Sequence, residues 1–237
     1  MSEVLDCLDT LKQLQTSPER VHKEEVWRAI DDSFGFQSAG DGTRNVEAVV
    51  DGGPQLALQT YKSGLTGRIL QPRLNWFTFG VADEDLMDRR DVRMWISKAA
   101  QGCNTLLGPS NLFVQITEMF GVGGRLGTAT LYRYWDERNG REVFLLQDTW
   151  GIYLQENDAD EVDTVYRVCY MTAQKLVQRF GESNVDAEVV RLYNDPQQRF
   201  TKVKVLHAVQ PNPNYNPKKA DKDSKRYRSW YIDVEYA

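Results

Sequence analysis

The chain has 237 residues, of which 27% are charged, and its net charge is -5. This balance argues against broad nonspecific affinity for nucleic acid or anionic membranes. It does not exclude a local basic surface. No apolar run approaches the roughly 20 residues that cross a bilayer. The N-terminus, MSEVLDCLD, is acidic where a secretion signal would be basic, so we expect a protein that stays in a cytoplasm or in a particle assembled there.

Cysteine, histidine and serine residues form no catalytic or metal-binding pattern. Cys7, Cys103 and Cys169 are too far apart for a CxxC site and are predicted to be reduced thiols of the core. His22 and His207 lie outside any HExxH pattern, and no serine occurs in a GxSxG elbow. His207 sits in the apolar run VKVLHAV, which predicts a hydrogen-bonded strand histidine. The sequence therefore predicts no catalytic residue, no metal and no cofactor.

The first third of the chain is predicted to be helical. The segments LDTLKQL and EEVWRAIDDSF are short and amphipathic, and the polar stretch SAGDGTRN after them is typical of an exposed loop. A longer helix is predicted from about Pro54 to about Leu70, because an apolar stripe follows it and Pro72 stops it. Gly64 and Gly67 weaken this helix by about 1 kcal/mol each relative to alanine, which predicts a close approach of another element, for instance between subunits.

Two more helices are predicted before the sheet begins. An aromatic piece, NWFTF, is predicted to be extended. After it, an apolar stripe that includes Trp95 and Ile96 predicts an ordinary core helix, starting near Asp91 and ending before Gly108. The next helix, over SNLFVQITEMF, is predicted to end at Gly121.

The segment GVGGRLG, residues 121–127, suggests a phosphate-binding loop, because glycines allow close backbone approach. That role requires the order strand, glycines, helix, so that the phosphate meets the positive end of a helix. Here a helix precedes the segment, and a hairpin with an Asn139-Gly140 turn follows it. The glycines are therefore predicted to end a helix, with Arg125 exposed and directed at a carboxylate or at the last helical carbonyls.

Antiparallel sheet is predicted for most of the remaining chain. Four strands are expected between about 128 and 170, and the acidic stretch at 157–163 is predicted to be a solvated turn, because Val162 breaks the calcium-loop pattern. Thr172 caps a short helix that Gly181 ends, and a second short helix follows. This helix-turn-helix-like pair carries few cations for a DNA footprint. The strands KVKVLHAVQ and WYIDVEY are predicted to pair.

The loop between those last two strands is the basic stretch of the chain. Residues 218–228 hold six positive side chains against two aspartates. The loop is predicted to be a solvated hairpin tip, with contact to DNA phosphates or to a partner as the functional alternative. The candidate contact residues are Lys218, Lys219, Lys222, Lys225, Arg226 and Arg228.

Together these elements predict an α+β fold, in which N-terminal helices precede a mostly antiparallel β-sheet region with two short inserted helices. Five stretches in order resemble the portal proteins of short-tailed bacteriophages, also called head-to-tail connecting proteins. The stretches are ALQTYKSGLTGRILQPRLNWFTF, EDLMDRRDVRMWISKAA, GVGGRLGTATLY, DTVYRVCYMTAQKLVQRFGESNV and VLHAVQPNPNYNP. They span about Leu56 to Pro217, and the first 50 residues are compatible with the family's N-terminal helices.

The resemblance covers roughly the N-terminal half of such proteins, which forms the outer wing. It implies a helical part of the wing at residues 1–121 and a β-rich part at residues 122–237. The stem, clip and crown of the family have no counterpart in this sequence.

The resemblance also implies a structural, non-enzymatic subunit of a ring, usually a dodecamer, at one vertex of the capsid. The implied partners are copies of itself, capsid and scaffolding proteins, the terminase motor, tail or adaptor proteins, and double-stranded DNA that passes without sequence specificity. The implied location is the virion, and the host cytoplasm during assembly. Two alternatives stay open: an enzyme that binds a nucleotide or adenosyl cofactor at 121–127, and a DNA-binding accessory protein that uses 218–228.

Overall fold

The computed structural model describes residues 2–34, 51–70, 76–219, 221 and 223–234. The described residues form an α+β fold with antiparallel strands, as predicted. The helices are α1 (Ser2–Thr16), α2 (Pro18–Ser33), α3 (Gly53–Ile69), α4 (Glu84–Asp88), α5 (Arg90–Leu107), α6 (Leu112–Leu126), α7 (Ala173–Phe180) and α8 (Ala187–Asn194). The strands are β1 (Thr130–Asp136), β2 (Arg141–Gln147), β3 (Ile152–Glu156), β4 (Val162–Thr172), β5 (Lys202–Pro211) and β6 (Tyr227–Asp233).

Most of the helices predicted in the first half of the chain are present, and most of them extend over more residues than predicted. The polar stretch SAGDGTRN lies outside the described residues, and residues 76–80, which include most of NWFTF, form no strand. Helix α4 was not predicted; the Asp83 carboxylate caps it by accepting hydrogen bonds from the backbone N–H groups of Asp85 and Leu86. The assignment of residues 1–121 and 122–237 to two parts of a portal wing stays a prediction.

The contacts of the chain divide it into two compact units. One unit joins Met1–Glu24 to Trp150–Ala237, and the other is Glu25–Thr149. The first helix therefore folds with the last strands of the chain, an association between residues that are distant in sequence.

The unit that contains both ends of the chain is built on a four-stranded antiparallel sheet in the order β3-β4-β5-β6. Successive side chains of a strand point to opposite faces, so β5 supplies both cores. Val203 and Val205 pack with residues of α7 and α8, whereas Leu206 and Ala208 pack with residues of α1. Both faces of this sheet are therefore covered by helices. The predicted pairing of the last two strands is confirmed, with Val205 opposite Asp233.

Polar groups on the α1 face are paired within the core. The Tyr166 hydroxyl donates to Gln210 Oε1 over 2.6 Å, and the Tyr166 side chain is 1% exposed. Burial is the main cause that raises the pKa of Tyr166 to about 12, and burial also raises the pKa of the neighbouring Cys7 thiol. All three cysteines are free thiols, and Cys7 is buried as predicted, whereas Cys103 and Cys169 are half-buried.

A tight turn joins β3 to β4 at the acidic stretch. The Asn157 side-chain oxygen accepts hydrogen bonds from the backbone N–H groups of Ala159 and Glu161, and Asp160 adopts a φ of +57°. The prediction of a turn is confirmed. Across the described ranges, no group of three or more His, Cys, Asp or Glu side chains is placed to hold a metal ion.

The other unit packs helices against a β-hairpin. Gly140 has a φ of +57°, as an Asn-Gly hairpin turn requires. Two amide side chains near the start of α6 cover the edge of β2 that does not pair with β1. Asn111 exchanges hydrogen bonds of 2.7 and 2.8 Å with the backbone of Phe144, and Gln115 Oε1 accepts from the N–H of Leu146 over 2.7 Å. These amides take the place of a further strand, so this edge is closed to pairing.

Helix α5 begins and ends as predicted, but its apolar stripe is only partly buried. Ile96 and Ala100 are buried, whereas Trp95 is 69% exposed and Leu106 is 57% exposed. The expectation of an ordinary core helix is wrong at Trp95, because a 3.6-residue period marks an apolar face without showing what covers it. Among the described helices, none is both long enough and apolar enough to cross a bilayer.

Candidate functional site

The glycine-rich segment GVGGRLG lies almost entirely inside a helix. Helix α6 continues to Leu126, so the predicted end at Gly121 is too early. Gly127 ends the helix with a φ of +77°, and its N–H donates to the Gly123 carbonyl over 2.9 Å. The predicted order of helix and then hairpin is confirmed. The strand–glycine–helix order that a phosphate loop requires is therefore not the order at residues 112–136.

The packing of helix α3 against α6 explains why α6 contains glycines. A Cβ atom on Gly124 would lie 2.5 Å from Cε1 of Tyr61, and a Cβ atom on Gly121 would lie 3.5 Å from Cδ of Lys62. The bare backbone at Gly124 thus lets the Tyr61 ring pack directly on α6. This contact offsets the low helix propensity of glycine, which is why the helix does not end where the sequence pattern indicated.

The close approach predicted on α3 itself is not found within the described part of the chain. Apart from the adjacent residues and the neighbouring backbone of α3, no described heavy atom lies within 4 Å of the Cβ position of either Gly64 or Gly67. The small residues that permit a close contact are therefore on α6, while a contact between subunits at Gly64 and Gly67 stays a prediction.

Alanine at the two α6 glycines is expected to have opposite effects on stability. Gly121→Ala fits at ordinary contact distance from Lys62 and should stabilise the protein by up to about 1 kcal/mol through helix propensity. Gly124→Ala should destabilise it by about 1 kcal/mol, because the Tyr61 ring must move away. Thermal denaturation of both variants checks this. Equal stabilities, or a more stable Gly124→Ala variant, would contradict the packing explanation.

The C-terminal end of α6 is anchored by two residues of α2. The indole Nε1 of Trp27 donates to the Leu126 carbonyl over 3.0 Å, which satisfies one of the carbonyls left free at a helix end. Arg125 forms an ion pair with Asp31, whose side chain is only 4% exposed. The expectation that Arg125 meets a carboxylate is confirmed, but its side chain is 16% exposed, so the expected exposure is wrong. Neither Tyr61 nor Asp31 was identified from the sequence as a partner of this segment.

The basic loop is an ordered extension of the β5–β6 hairpin. The Asn212 side-chain amide donates to the carbonyls of Asp223 and Lys225 over 2.7 Å, and Asn212 is 5% exposed. The backbone N–H of Asn216 donates to the Ser224 carbonyl. The loop is thus held at its base.

The five predicted contact residues that the structure describes do not form one free basic patch. Lys218, Lys219 and Lys225 are exposed, and Lys222 lies outside the described residues. The Arg226 guanidinium lies 5.5 Å from the Tyr227 ring centroid. Arg228 donates to Glu3 of helix α1 over 2.7 Å, so its charge is already partly compensated. Their role in contacting DNA or a partner stays a prediction.

His207 is a hydrogen-bonded strand histidine, as predicted. Its Nε2 lies 2.9 Å from Ser229 Oγ, and its ring stacks on Tyr231 with centroids 4.2 Å apart. Burial is the main cause that lowers the pKa of His207 to about 4, and the nearby charges of Arg167 and Arg179 contribute to the same shift. The neutral imidazole is therefore the form that this site holds.

Acid should destabilise the protein through His207. The pKa of His207 is lower in the folded protein than its unfolded value of about 6.5. The contribution of neutral His207 to stability is therefore fully present above pH 6.5 and is lost as the pH drops towards 4. Allowing for solvent screening, we expect a loss of about 2 kcal/mol. Urea denaturation at pH 7 and pH 4.5 measures it. His207→Gln should lose less stability on acidification than the wild type, and parallel pH profiles would contradict the prediction.

The helix-turn-helix-like pair has little free cationic surface. Arg191 of α8 donates to Glu188 over 2.8 Å, and Arg179 of α7 donates to the Tyr231 hydroxyl over 2.8 Å. Both helices also contribute buried residues to the core of the sheet. The geometry therefore favours a structural role for this pair.

The comparisons with known proteins address the chain as a whole. A family model described as "Bacteriophage head to tail connecting protein" matches residues 4–237. The chain belongs to this family. The family resemblance of the sequence is confirmed.

Two curated relatives of this connector chain are portal proteins by name. The portal protein of Salmonella phage epsilon15 is 28% identical over 232 residues, which cover 94% of this chain and 41% of the relative. The probable portal protein of Bordetella phage BPP-1 is 24% identical over 229 residues, which cover 93% of this chain and 40% of the relative. The chain spans about two fifths of the length of these relatives.

Proposed function

We propose that this chain is part of a structural subunit of a phage portal, a ring at a capsid vertex through which DNA enters and leaves the particle. The family match over residues 4–237 carries this proposal. Copies of the subunit, capsid and scaffolding proteins, the terminase motor, and tail or adaptor proteins are the proposed partners. The proposed location is the virion, reached by assembly in the host cytoplasm.

Exposed apolar side chains support an assembled state. Leu56 is 71% exposed, Trp95 is 69% exposed and Val114 is 63% exposed in the single chain. Neighbouring subunits of a ring would cover such side chains and remove their apolar area from water. A cyclic ring requires that one surface of a subunit meets a different surface of the next one.

The charge of the chain supports passage of DNA without tight binding. Its net charge is -5, and a negative surface holds few phosphate contacts. A nucleotide-binding enzyme is the weaker alternative, because Gly121, Gly123 and Gly124 lie within helix α6 and Gly124 is packed against Tyr61. The proposed role is therefore mechanical and not catalytic.

Electron microscopy and light scattering test the proposal. The samples are this chain and a protein of the relatives' full length that contains it. We expect the longer protein to form closed rings with a central hole and a mass of many subunits. A longer protein that stays monomeric under all assembly conditions would contradict the proposal.

Thermal denaturation with ATP, GTP and S-adenosylmethionine tests the enzymatic alternative on the same samples. A ligand at 100 times its Kd adds about 2.7 kcal/mol to the stability of the protein that binds it. We expect no shift of the melting temperature with any of the three. A saturable shift that is lost in a Gly124→Ala variant would favour the enzyme instead.

A further inference from the structure

The Asn139-Gly140 pair in the turn of the β1–β2 hairpin combines a reactive sequence with an open position. It is the one Asn-Gly pair of the sequence, and both of its residues are exposed. Gly140 has a φ of +57°, and apart from the adjacent residues no described heavy atom lies within 4 Å of its Cβ position. Solvent water therefore reaches both the Asn139 side chain and the Gly140 backbone.

An asparagine that precedes a glycine can lose its side-chain amide without an enzyme. The backbone nitrogen of the glycine attacks Cγ of the asparagine, so that a bond from this nitrogen to Cγ closes a five-membered imide ring. The bond from Cγ to Nδ2 breaks, and the amide leaves as ammonia with the proton of the glycine N–H. Water then adds to either carbonyl of the ring and opens it to aspartate or isoaspartate. Glycine favours ring closure because no Cβ atom crowds its nitrogen.

The Asp136 carboxylate holds the Asn139 side chain and the turn in place. Its Oδ2 accepts a hydrogen bond from Asn139 Nδ2 over 2.7 Å. Its Oδ1 accepts from the backbone N–H groups of Arg138 over 3.1 Å and of Asn139 over 3.4 Å. Ring closure requires Cγ of Asn139 to meet the Gly140 nitrogen in a suitable orientation. Hydrogen bonds that fix the amide and the turn backbone oppose this movement.

We infer that Asn139 is a site of spontaneous deamidation, with water as the reagent, and that the Asp136 carboxylate limits the rate of the reaction. The inference does not depend on the proposed ring, because the reaction needs only residues of one hairpin. Asn194 is exposed as well, but it precedes Asp195. The Cβ atom of Asp195 crowds the nitrogen that would attack, so Asn194 is the internal control.

Deamidation changes the charge and the hydrogen bonding of the hairpin turn. A carboxylate replaces the amide of Asn139, so one negative charge is added and the net charge of -5 becomes -6. The hydrogen bond from Asn139 is the main cause that lowers the pKa of Asp136 in the unmodified chain. In the product a second carboxylate replaces this donor, which raises the pKa of Asp136 and weakens the turn.

Incubation of the folded chain in ¹⁸O-water at mildly alkaline pH tests the inference. The product takes its new oxygen from the solvent, so reaction in the folded chain is distinguished from reaction during later digestion in ordinary water. A protease that cleaves before aspartate releases residues 136–147, and it cuts before residue 139 only where aspartate has formed there. We expect labelled product at Asn139 at least about tenfold faster than at Asn194, because Gly140 has no Cβ atom. Equal rates at the two asparagines would overturn the inference.

Substitutions in the turn test the role of Asp136. Asp136→Ala removes the acceptor of three hydrogen bonds and should speed the reaction at Asn139 by about threefold or more. Asp136→Asn keeps one acceptor oxygen and should react more slowly than Asp136→Ala. Glu137→Ala removes an exposed carboxylate of the same turn and should keep the wild-type rate. An Asp136→Ala variant that reacts no faster than the wild type would show that Asp136 does not limit the rate.

The variant Asn139→Asp carries the aspartate product in every molecule and gives an independent measurement. Titration of the Asp136 carboxyl group by NMR should show a higher pKa in this variant than in the wild type. Asn139→Gln keeps an amide donor and should leave the pKa of Asp136 below that of the Asn139→Asp variant. Equal pKa values in the two variants would overturn the proposed effect of deamidation on the turn.

Discussion

Replacing Asp31 with alanine is expected to lower the free energy of unfolding of the unit formed by residues 25–149 by about 3–5 kcal/mol. The Asp31 carboxylate is 4% exposed and pairs with Arg125, whose side chain is 16% exposed. Removal of the carboxylate leaves a mostly buried guanidinium without this counter-charge at the end of α6. Urea denaturation, with hydrogen exchange at the α6 amides as a local probe, measures the loss.

Two comparisons make the Asp31 prediction specific. Asp9→Ala removes a carboxylate that pairs with Lys12 on the surface, where both side chains are about 70% exposed or more, and should cost less than about 1 kcal/mol. The double change Asp31→Leu/Arg125→Met should recover much of the stability lost in the single variant, because no charge is then left buried. Similar losses for Asp31→Ala and Asp9→Ala would contradict the prediction.

Leu206→Ala is expected to destabilise the other unit by about 4 kcal/mol. Leu206 is fully buried between the sheet and helix α1, in contact with a core that includes Cys7, Leu11 and Tyr166. Truncation removes its transfer free energy and leaves a cavity that α1 and the sheet can fill only in part. Denaturation by urea and exchange at the β5 amides measure the effect.

Leu154→Ala is the matched control, since Leu154 lies on a strand of the same sheet but is 49% exposed. Its truncation should cost about 1 kcal/mol. If the two leucine variants lost the same stability, the core on the α1 face would not be the main source of stability for this unit.

The order of elements could be predicted from the sequence because the signals are local. Helix α7 begins after Thr172, whose side chain caps it, and ends at Gly181, which has a φ of +82°. Both features can be expected from the residue types. Gly140 in the Asn-Gly turn fixed the first hairpin in the same way. The environment of His207 could be predicted because a histidine within an apolar strand is usually buried and hydrogen-bonded.

The errors concern partners that are distant in sequence. The sequence pattern predicts a helix terminator that includes Gly124, because nothing near Gly124 in sequence shows that Tyr61 occupies the space above it. The sequence pattern predicts that Trp95 is in the core, because the period of apolar residues does not show whether the apolar face is covered within one chain.

The packing of helix α1 against the last strands has a consequence for synthesis on the ribosome. Residues 25–149 are complete well before β6 is made, so this unit can fold while α1 still lacks its sheet. At about 5–20 residues per second, the 84 residues from 149 to 233 take roughly 4–17 s to synthesise. During that interval Leu11 and Cys7 have no complete native core to enter, because Tyr166, Leu206 and Ile232 are added only one after another. The nascent chain thus presents the amphipathic helix α1 to chaperones before its sheet is complete.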